Sequence, residues 1–324
     1  MKSEDIPVIF INYNRPELTE LVFQEIRKFK PKNLFLISDG PKNHQDKADV
    51  NEVRKIFENI NWDCNVFKKY SEINLGNKVS VEEAFELVFF QHNFNKAIYL
   101  EDDSLPNQSF FTFCEENLTK YEKFNNIVAI SGSSELNYSD NYNSYFFSFY
   151  PRIQGFATWK RVWTLYEKDI SVFWKKNIFS LEFYKKFNSF WEYLYFTNLF
   201  NYSYLNLSKK ANVWDSNFFA SILCKMREKP VSINSYKNLC SNIGFNHYKG
   251  EHKVPVEHTK FNNLPRHEIN NIFHPNTIST NLNLDIVIFR NFIATYPKNK
   301  FLIIIYSLKL LLRFFYSTFR VLMR

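Results

Sequence analysis

A chain of 324 residues with 45% hydrophobic and 23% charged side chains is long enough to bury a large core, which excludes a disordered or fibrous polymer. Its formal charge of +8 asks for an anionic partner, whether nucleic acid, a nucleotide diphosphate or an acidic membrane surface. Cys64, Cys114, Cys224 and Cys240 are widely spaced with no Cys-x-x-Cys pair, so neither a zinc site nor a disulfide framework is expected.

The N-terminus opens Met1-Lys2-Ser3-Glu4-Asp5 before a short apolar run from Pro7 to Ile11, which lacks the layout of a secretory signal; with reduced cysteines, the expectation is a cytoplasmic protein. One unit then repeats: a short β-rich run, a turn and a helix-period segment. It predicts strands at 8–11, 34–37, 65–67 and 97–100 and helices at 16–29, 46–60 and 79–90, with Pro16 suited to a first helical turn. Such alternation is the signature of an α/β fold with a mostly parallel sheet flanked by helices and right-handed crossovers. A helix over 107–123 and a strand over 127–130 follow. The aromatic stretch 146–200 reads as helices closing over the sheet, 253–283 as an extended loop around Pro255, Pro265 and Pro275, and the C-terminus as helical.

In open α/β sheets ligands bind beyond the carboxyl ends of the strands, which gives weight to three polar clusters: Asn12-Tyr13-Asn14-Arg15, Ser38-Asp39-Gly40 and Glu101-Asp102-Asp103. Three consecutive carboxylates repel one another unless a cation or hydrogen-bond donors compensate them. Bound Mn²⁺ or Mg²⁺ would do so through oxygen ligands, and capping of the following helix is the other reading. Asp39 sits in a sequence that is also a plain turn, and Arg15 is either a solvated helix start or a donor to a base or phosphate. Asn74-Leu75-Gly76-Asn77-Lys78 supplies a tight turn and a cation before a helix. Asp215, in Trp214-Asp215-Ser216, fits the N-cap of a helix through 218–225. His247, His252 and His258 are spaced by five and six, which matches no helical pair of metal ligands.

At the C-terminus Lys309, Arg313, Arg320 and Arg324 interrupt an apolar run and fall within about 60° of one another on a helix. The longest uncharged stretch, 301–308, is far short of the roughly 20 residues that span a bilayer, so 301–324 is expected to lie in a membrane interface or to pack on protein. No basic stretch with interleaved aromatics lies in the sheet region, and nucleic acid is not an expected partner.

Taken in order, these motifs resemble a bacterial GT-A glycosyltransferase family related to the eukaryotic N-acetylglucosaminyltransferase that adds the first GlcNAc branch of N-glycans. The resemblance covers roughly residues 5–285. It rests on Pro7-Val8-Ile9-Phe10-Ile11-Asn12-Tyr13-Asn14-Arg15, Ile37-Ser38-Asp39-Gly40, Asn74-Leu75-Gly76, Leu100-Glu101-Asp102-Asp103 with Phe110-Phe111, Gly155-Phe156-Ala157-Thr158-Trp159-Lys160-Arg161-Val162-Trp163, Trp214-Asp215 and Ser241-Asn242-Ile243-Gly244-Phe245.

It implies a Rossmann-like GT-A fold with Asp103 ligating a metal that bridges the donor diphosphate, Arg15 and Asp39 at a uracil, Asp102 at the ribose and Glu101 at the donor sugar. Asp215 would be the base that deprotonates the acceptor hydroxyl in an inverting transfer. Asn14, Lys78 and His252 complete the implied donor-binding set. Two stretches depart from the family pattern: Gln154-Gly155-Phe156, where a Trp-Gly-Trp-like run is usual, and the segment after Gly244, where His252 is matched to a histidine near the diphosphate. The implied division is a catalytic domain over 1–252, with nucleotide-sugar (1–132) and acceptor (133–252) halves, a loop over 253–283 and a C-terminal helical segment over 284–324. The implied reaction moves a sugar from a nucleotide donor, a UDP-sugar by the family, to a glycan or glycolipid acceptor of the bacterial surface, such as lipopolysaccharide or capsule, at the inner face of the cytoplasmic membrane. A sugar-phosphate nucleotidyltransferase and a catalytically inactive membrane-bound scaffold are the alternatives; the former lacks a glycine-rich phosphate loop, the first glycine being Gly40.

Overall fold

The structure is a computed structural model that describes residues 5–136, 142–206, 214–245, 247–249, 261–294, 297 and 299–324. Its contacts divide the chain into two compact units, 1–163 with 231–279 and 164–230 with 280–324. These units are discontinuous in sequence, whereas the segments expected from the sequence are contiguous.

The first unit is an α/β layer built on a mostly parallel eight-stranded sheet. Four strands form its parallel half: β1 (Val8–Asn12), β2 (Asn33–Ser38), β3 (Asn65–Tyr70) and β4 (Lys96–Glu101), in the spatial order β3-β2-β1-β4. The three inner ones are apolar along their length and buried nearly throughout, as a sheet covered on both faces requires. Their crossovers are α1 (Pro16–Phe29), α2 (His44–Ile56) and α3 (Asn77–Glu86), the last continued by a π-helical turn at Leu87–Gln91. Pro16 opens α1 as expected, and α1 buries Leu18, Val22, Phe23 and Ile26 at i, i+4 and i+3 spacing. Phe23 meets Phe10 of β1 and Phe57 with ring centroids 6.3 and 5.0 Å away.

Beyond β4 the sheet continues with β8 (Phe156–Trp159), β6 (Ile127–Ser131), β9 (Val231–Ser235) and β7 (Tyr145–Ser148); β7 and β8 run antiparallel to their neighbours. The start of the aromatic stretch is therefore two strands of the sheet, which corrects the expectation of helices from residue 146. Each is a run of four buried residues rich in β-formers, and on strands buried on both faces the aromatics leave no alternation to betray the period. A small second sheet pairs β5 (Ser104–Pro106) with β10 (Cys240–Asn242), antiparallel. Between β5 and β6, α4 (Gln108–Lys120) starts at Asn107, whose side chain accepts from the backbone N–H of Phe110.

The second unit is helical. α5 (Phe190–Leu205) is apolar around most of its circumference and is covered accordingly. It packs with α6 (Trp214–Lys225) and with the long α8 (Lys300–Met323), which follows the short α7 (Leu282–Ile288). Trp174, Phe183, Phe196, Phe200 and Phe219 form an aromatic core here. Polar bonds fix α8 on α5. Asn201, fully buried, donates to the hydroxyls of Ser317 (2.9 Å) and Thr318 (3.0 Å) and accepts from the Trp174 indole N–H (2.8 Å); Asn198 donates to the Leu310 carbonyl (3.0 Å). Residues 301–323 are long and apolar enough as a whole to cross a membrane, with a mean hydropathy of 1.5, so the uncharged stretch 301–308 understated the helix.

Because Asn201→Leu takes a partner from the buried Trp174 indole and Thr318 hydroxyl and from the half-buried Ser317, it should lower unfolding stability by about 2–4 kcal/mol in urea titrations. A loss below about 1 kcal/mol would show that these bonds do not hold α8 in place.

Candidate functional site

A cleft of about 280 Å³ opens at the carboxyl ends of β1, β2 and β4, where the open-sheet rule puts a ligand. Among the described residues its wall is drawn from the first unit. There, four carboxyl groups (Asp39, Glu101, Asp102, Asp103) and two cations (Arg15, Lys249) line it, with Asn12, Tyr13, Asn14, Asn77, Ser80 and Asn242 as neutral polar groups.

The acids sit together because β4 ends at Glu101, which pairs in register with Ile11, and the chain turns at once through Asp102 and Asp103 into β5. Parallel pairing of β1 beside β4 sets Arg15, the residue before α1, against them. Its guanidinium clasps Asp102 through two nitrogens, with Nε to Oδ2 at 3.2 Å, and reaches Asp103 Oδ2 through Nη1 at 3.2 Å. Burial alone would weaken the charge on Arg15, but Asp102 and Asp103 outweigh it and raise its pKa further. Burial likewise pushes the Asp102 carboxyl up, opposed by Arg15 and reinforced by Asp103. Glu101 accepts from the Tyr99 hydroxyl; burial and then the nearby Asp103 push its pKa up to about 7, from an ordinary 4.5.

Asp103 is held more loosely. Its Oδ1 receives Gln154 Nε2 at 3.4 Å, and Gln154 is itself fixed by Ser104 Oγ (3.1 Å) and by the Asn242 amide (2.8 Å). Gln154, at a position where the resemblance led to the expectation of an aromatic run, thus contacts the Asp103 carboxylate. Pairing of β5 with β10 brings 242–244 over the acids, where the Ile243 N–H donates to the Asp103 carbonyl (2.9 Å). At Gly244 the approach is so close that a Cβ would lie 2.6 Å from Asp103 Oδ2 and 2.8 Å from Arg15 Nη1. A side chain there cannot coexist with the pair.

Asp39 is placed differently. Its Oδ1 accepts the backbone N–H of Gly40 and Leu75, each at 2.8 Å, and its Oδ2 accepts Gly76 N–H and Asn74 Nδ2, each at 2.9 Å. Four donors on two oxygens use the acceptor capacity of a carboxylate, so Asp39 shapes the 74–76 turn at the cleft wall. Gly40 is needed there because a Cβ would sit 2.4 Å from the Ile73 backbone. Arg54 of α2 locks the same ends together by donating to Ser38 Oγ and to the carbonyls of Asp39 and Ser71.

Asn14 is buried in the wall and donates to Asp46 (3.2 Å), beside the Tyr13 hydroxyl at 2.8 Å. Lys78 does not line the cleft. It pairs with Glu82 one turn along α3 (3.8 Å), because the helix starts at Asn77 and turns Asn77 and Ser80 to the site instead. Lys249 was not expected from its local sequence; its ammonium bonds Asp49 (2.9 Å) and the Asn14 carbonyl (3.3 Å). Asn12 brings an unfilled acceptor, for its buried Oδ1 has no hydrogen-bond partner. His252 and His258 lie outside the described residues; His247 bonds Glu17 (2.9 Å). Asp215 belongs to the second unit, in the first turn of α6, where it accepts from the Ser216 N–H (2.6 Å).

The acids outnumber the cations on the cleft wall, and Asp103, with one guanidinium contact and one long amide contact, is a hard oxygen donor facing it. Among the described residues no group of three or more His, Cys, Asp or Glu side chains is arranged to hold a metal.

No protein-family description matches the chain, and no curated protein matches it. Among solved structures it is similar to S. aureus TarS 1–349 (TM-score 0.34, 10% identity), to the same fragment in complex with UDP (0.34, 12%) and to S. aureus TarS (0.32, 12%). Each match covers 49% of this chain; it spans 48% of the two fragment chains and 29% of the third.

Two outcomes are expected of the site itself. Gly244→Ala should destabilise the fold by about 1–3 kcal/mol in thermal unfolding, since the Arg15–Asp103 pair has to move; an unchanged melting temperature would contradict the packing described. For Glu101, a folded pKa above the unfolded one means stability is fullest below pH 4.5 and is lost as pH rises to about 7. Glu101→Gln, measured without divalent metal, should therefore gain about 2 kcal/mol over the parent at pH 8 and nearly nothing at pH 4.5. A gain independent of pH would refute the raised carboxyl.

Proposed function

We propose that the chain is a metal-assisted GT-A glycosyltransferase that moves a sugar from a nucleotide donor, UDP by preference, to a glycan or lipid-linked acceptor of the bacterial surface. The observation that carries this reading is the cleft at the ends of β1, β2 and β4, where Glu101, Asp102 and Asp103 gather around a single arginine. A diphosphate is itself anionic, so such an acidic wall accepts one only together with a cation. Asp103 is the residue to hold Mn²⁺ or Mg²⁺, which when bound would neutralise the charge on the departing diphosphate.

The chain's own residues then divide the work. The orphan acceptor on Asn12 and the turn braced by Asp39 supply a nucleobase wall. Arg15 and Lys249 are the cations within reach of phosphate oxygens, and Asp102 and Glu101 are the acceptors for ribose and sugar hydroxyls. His252 is assigned to the diphosphate on the motif order alone. Asp215 is assigned the base. The acceptor oxygen bonds to the anomeric carbon as the bond from that carbon to the diphosphate oxygen breaks; the nucleotide leaves with the electron pair and the hydroxyl proton goes to the Asp215 carboxylate, inverting the centre. Motif order in the sequence supports the Asp215 assignment.

Calorimetric titration of UDP and UDP-sugars with Mn²⁺ and with EDTA tests the reading. Expected are Mn²⁺-dependent binding, loss of about tenfold or more in affinity in Asp103→Asn, and transfer slowed by about 10²–10⁴ in Asp215→Asn with UDP affinity kept. The reading is overturned if no nucleotide or nucleotide sugar binds with or without metal.

A further inference from the structure

We infer that α8 is a membrane-docking helix that lies flat on an anionic lipid surface through its outward face while its inner face stays bonded to α5. The inner face consists of Leu310, Phe314, Thr318 and Val321, all at or below 8% exposure, with Ser317 in the polar bonds to Asn198 and Asn201. The opposite face carries Phe301, Leu308, Leu312, Phe315 and Phe319, which fall within roughly 60° on the helical wheel and are 55–68% exposed. No described residue of the second unit covers them. Ile304, Leu322 and Met323 widen the stripe at 59%, 49% and 72% exposure, and it runs the length of a helix roughly 36 Å long at 1.5 Å per residue.

Charge selects the occupant. Residues 300–324 contain no Asp or Glu, and Lys309, Arg313 and Arg320 are exposed along one flank, between the outward stripe and the bonded face. Apolar side chains entering the acyl boundary with cations beside them at headgroup level is the arrangement of an interfacial helix, and the phosphates of anionic lipids complement the flank. A spanning helix would have to carry Asn198, Asn201, Ser317 and their bonds to α5 into hydrocarbon or break them; the flat orientation keeps them inside the protein.

The test is co-sedimentation of the full chain with phosphatidylglycerol vesicles and with phosphatidylcholine vesicles, at low and high salt, followed by an alkaline carbonate wash and by gel filtration without lipid. Expected is pelleting with phosphatidylglycerol alone, weakened by salt and released by carbonate, and reduced about tenfold in Phe315→Glu/Phe319→Glu. That double variant should keep the parent melting temperature, since both side chains face outward. Arg313→Glu/Arg320→Glu should lose the salt-sensitive part of binding. The inference falls if the parent stays in the supernatant, if the Phe315→Glu/Phe319→Glu variant pellets equally, if carbonate fails to release the chain, or if the parent is a dimer that this variant converts to monomer without lipid binding. The last result would identify a second copy as the occupant.

Discussion

The site depends on keeping three neighbouring carboxyl groups in one cleft. Each lost part of its hydration when β4 was buried, and each raises the others' free energy; among the described residues Arg15 supplies the positive charge in direct contact, clasping Asp102 on both oxygens and touching Asp103. Much of the local architecture follows from preserving that clasp. The β5–β10 pair holds 242–244 over it, Gly244 is bare because a methyl group would collide with both partners, and Gln154 steadies the free side of Asp103. Glu101 shows the cost as a raised pKa, set first by its burial and then by the neighbouring Asp103, with Tyr99 and Arg15 pulling the other way.

Two aspartates at the same sheet edge show how hydrogen-bond counting separates a scaffold from a ligand-ready group. Asp39 receives four N–H donors from the residues around it and is in effect part of the 74–76 turn. Asp103 receives two contacts beyond 3 Å, from groups that could turn away without leaving the core. On the proposed reading, a cation at Asp103 would have to displace a single arginine nitrogen, and the contacts of Arg15 to Asp102 do not depend on that nitrogen's bond to Asp103.

The parallel half of the sheet was legible because short β-rich apolar runs alternate there with helix-period segments, so that β1, α1, β2 and β4 could be placed from local pattern to within a residue or two. Tyr145–Ser148 and Phe156–Trp159 were not, since on strands buried on both faces the burial leaves no alternation and aromatic density reads equally as helix. The acids and Arg15 were legible by the strand-end rule. Lys78, expected at the donor, is off the cleft lining and beside Glu82, because one residue of helix phase decides whether a side chain meets the cleft or its own helix, and helix boundaries are weakly determined by sequence. Asn242, Gly244 and Lys249 owe their place to the β5–β10 pairing across more than a hundred residues, a contact with no local signature; for Gly244 the motif Asn242-Ile243-Gly244 was visible, but the collision that forbids a side chain was not.

The second unit inverts the usual logic of a surface helix. In a water-facing helix the apolar stripe turns inward and the polar face outward. In α8 the inward face holds Ser307, Ser317 and Thr318 alongside Leu310, Phe314 and Val321, whereas the outward face is a run of Phe, Ile and Leu with no polar residue at its centre. Had burial of apolar area alone set the rotation of this helix, it would have turned by half a circle and hidden Phe301, Leu308, Leu312, Phe315 and Phe319 against α5. The hydrogen bonds from Asn198 and Asn201 fix it the other way, since turning it would take from the buried Asn201 amide and the half-buried Asn198 amide their partners on α8, at about 1–3 kcal/mol each. Buried asparagines thus hold an apolar face outward with Lys309, Arg313 and Arg320 on its flank and no acid in 300–324, and it is on this pairing of surface and charge that the proposed contact with anionic lipid rests.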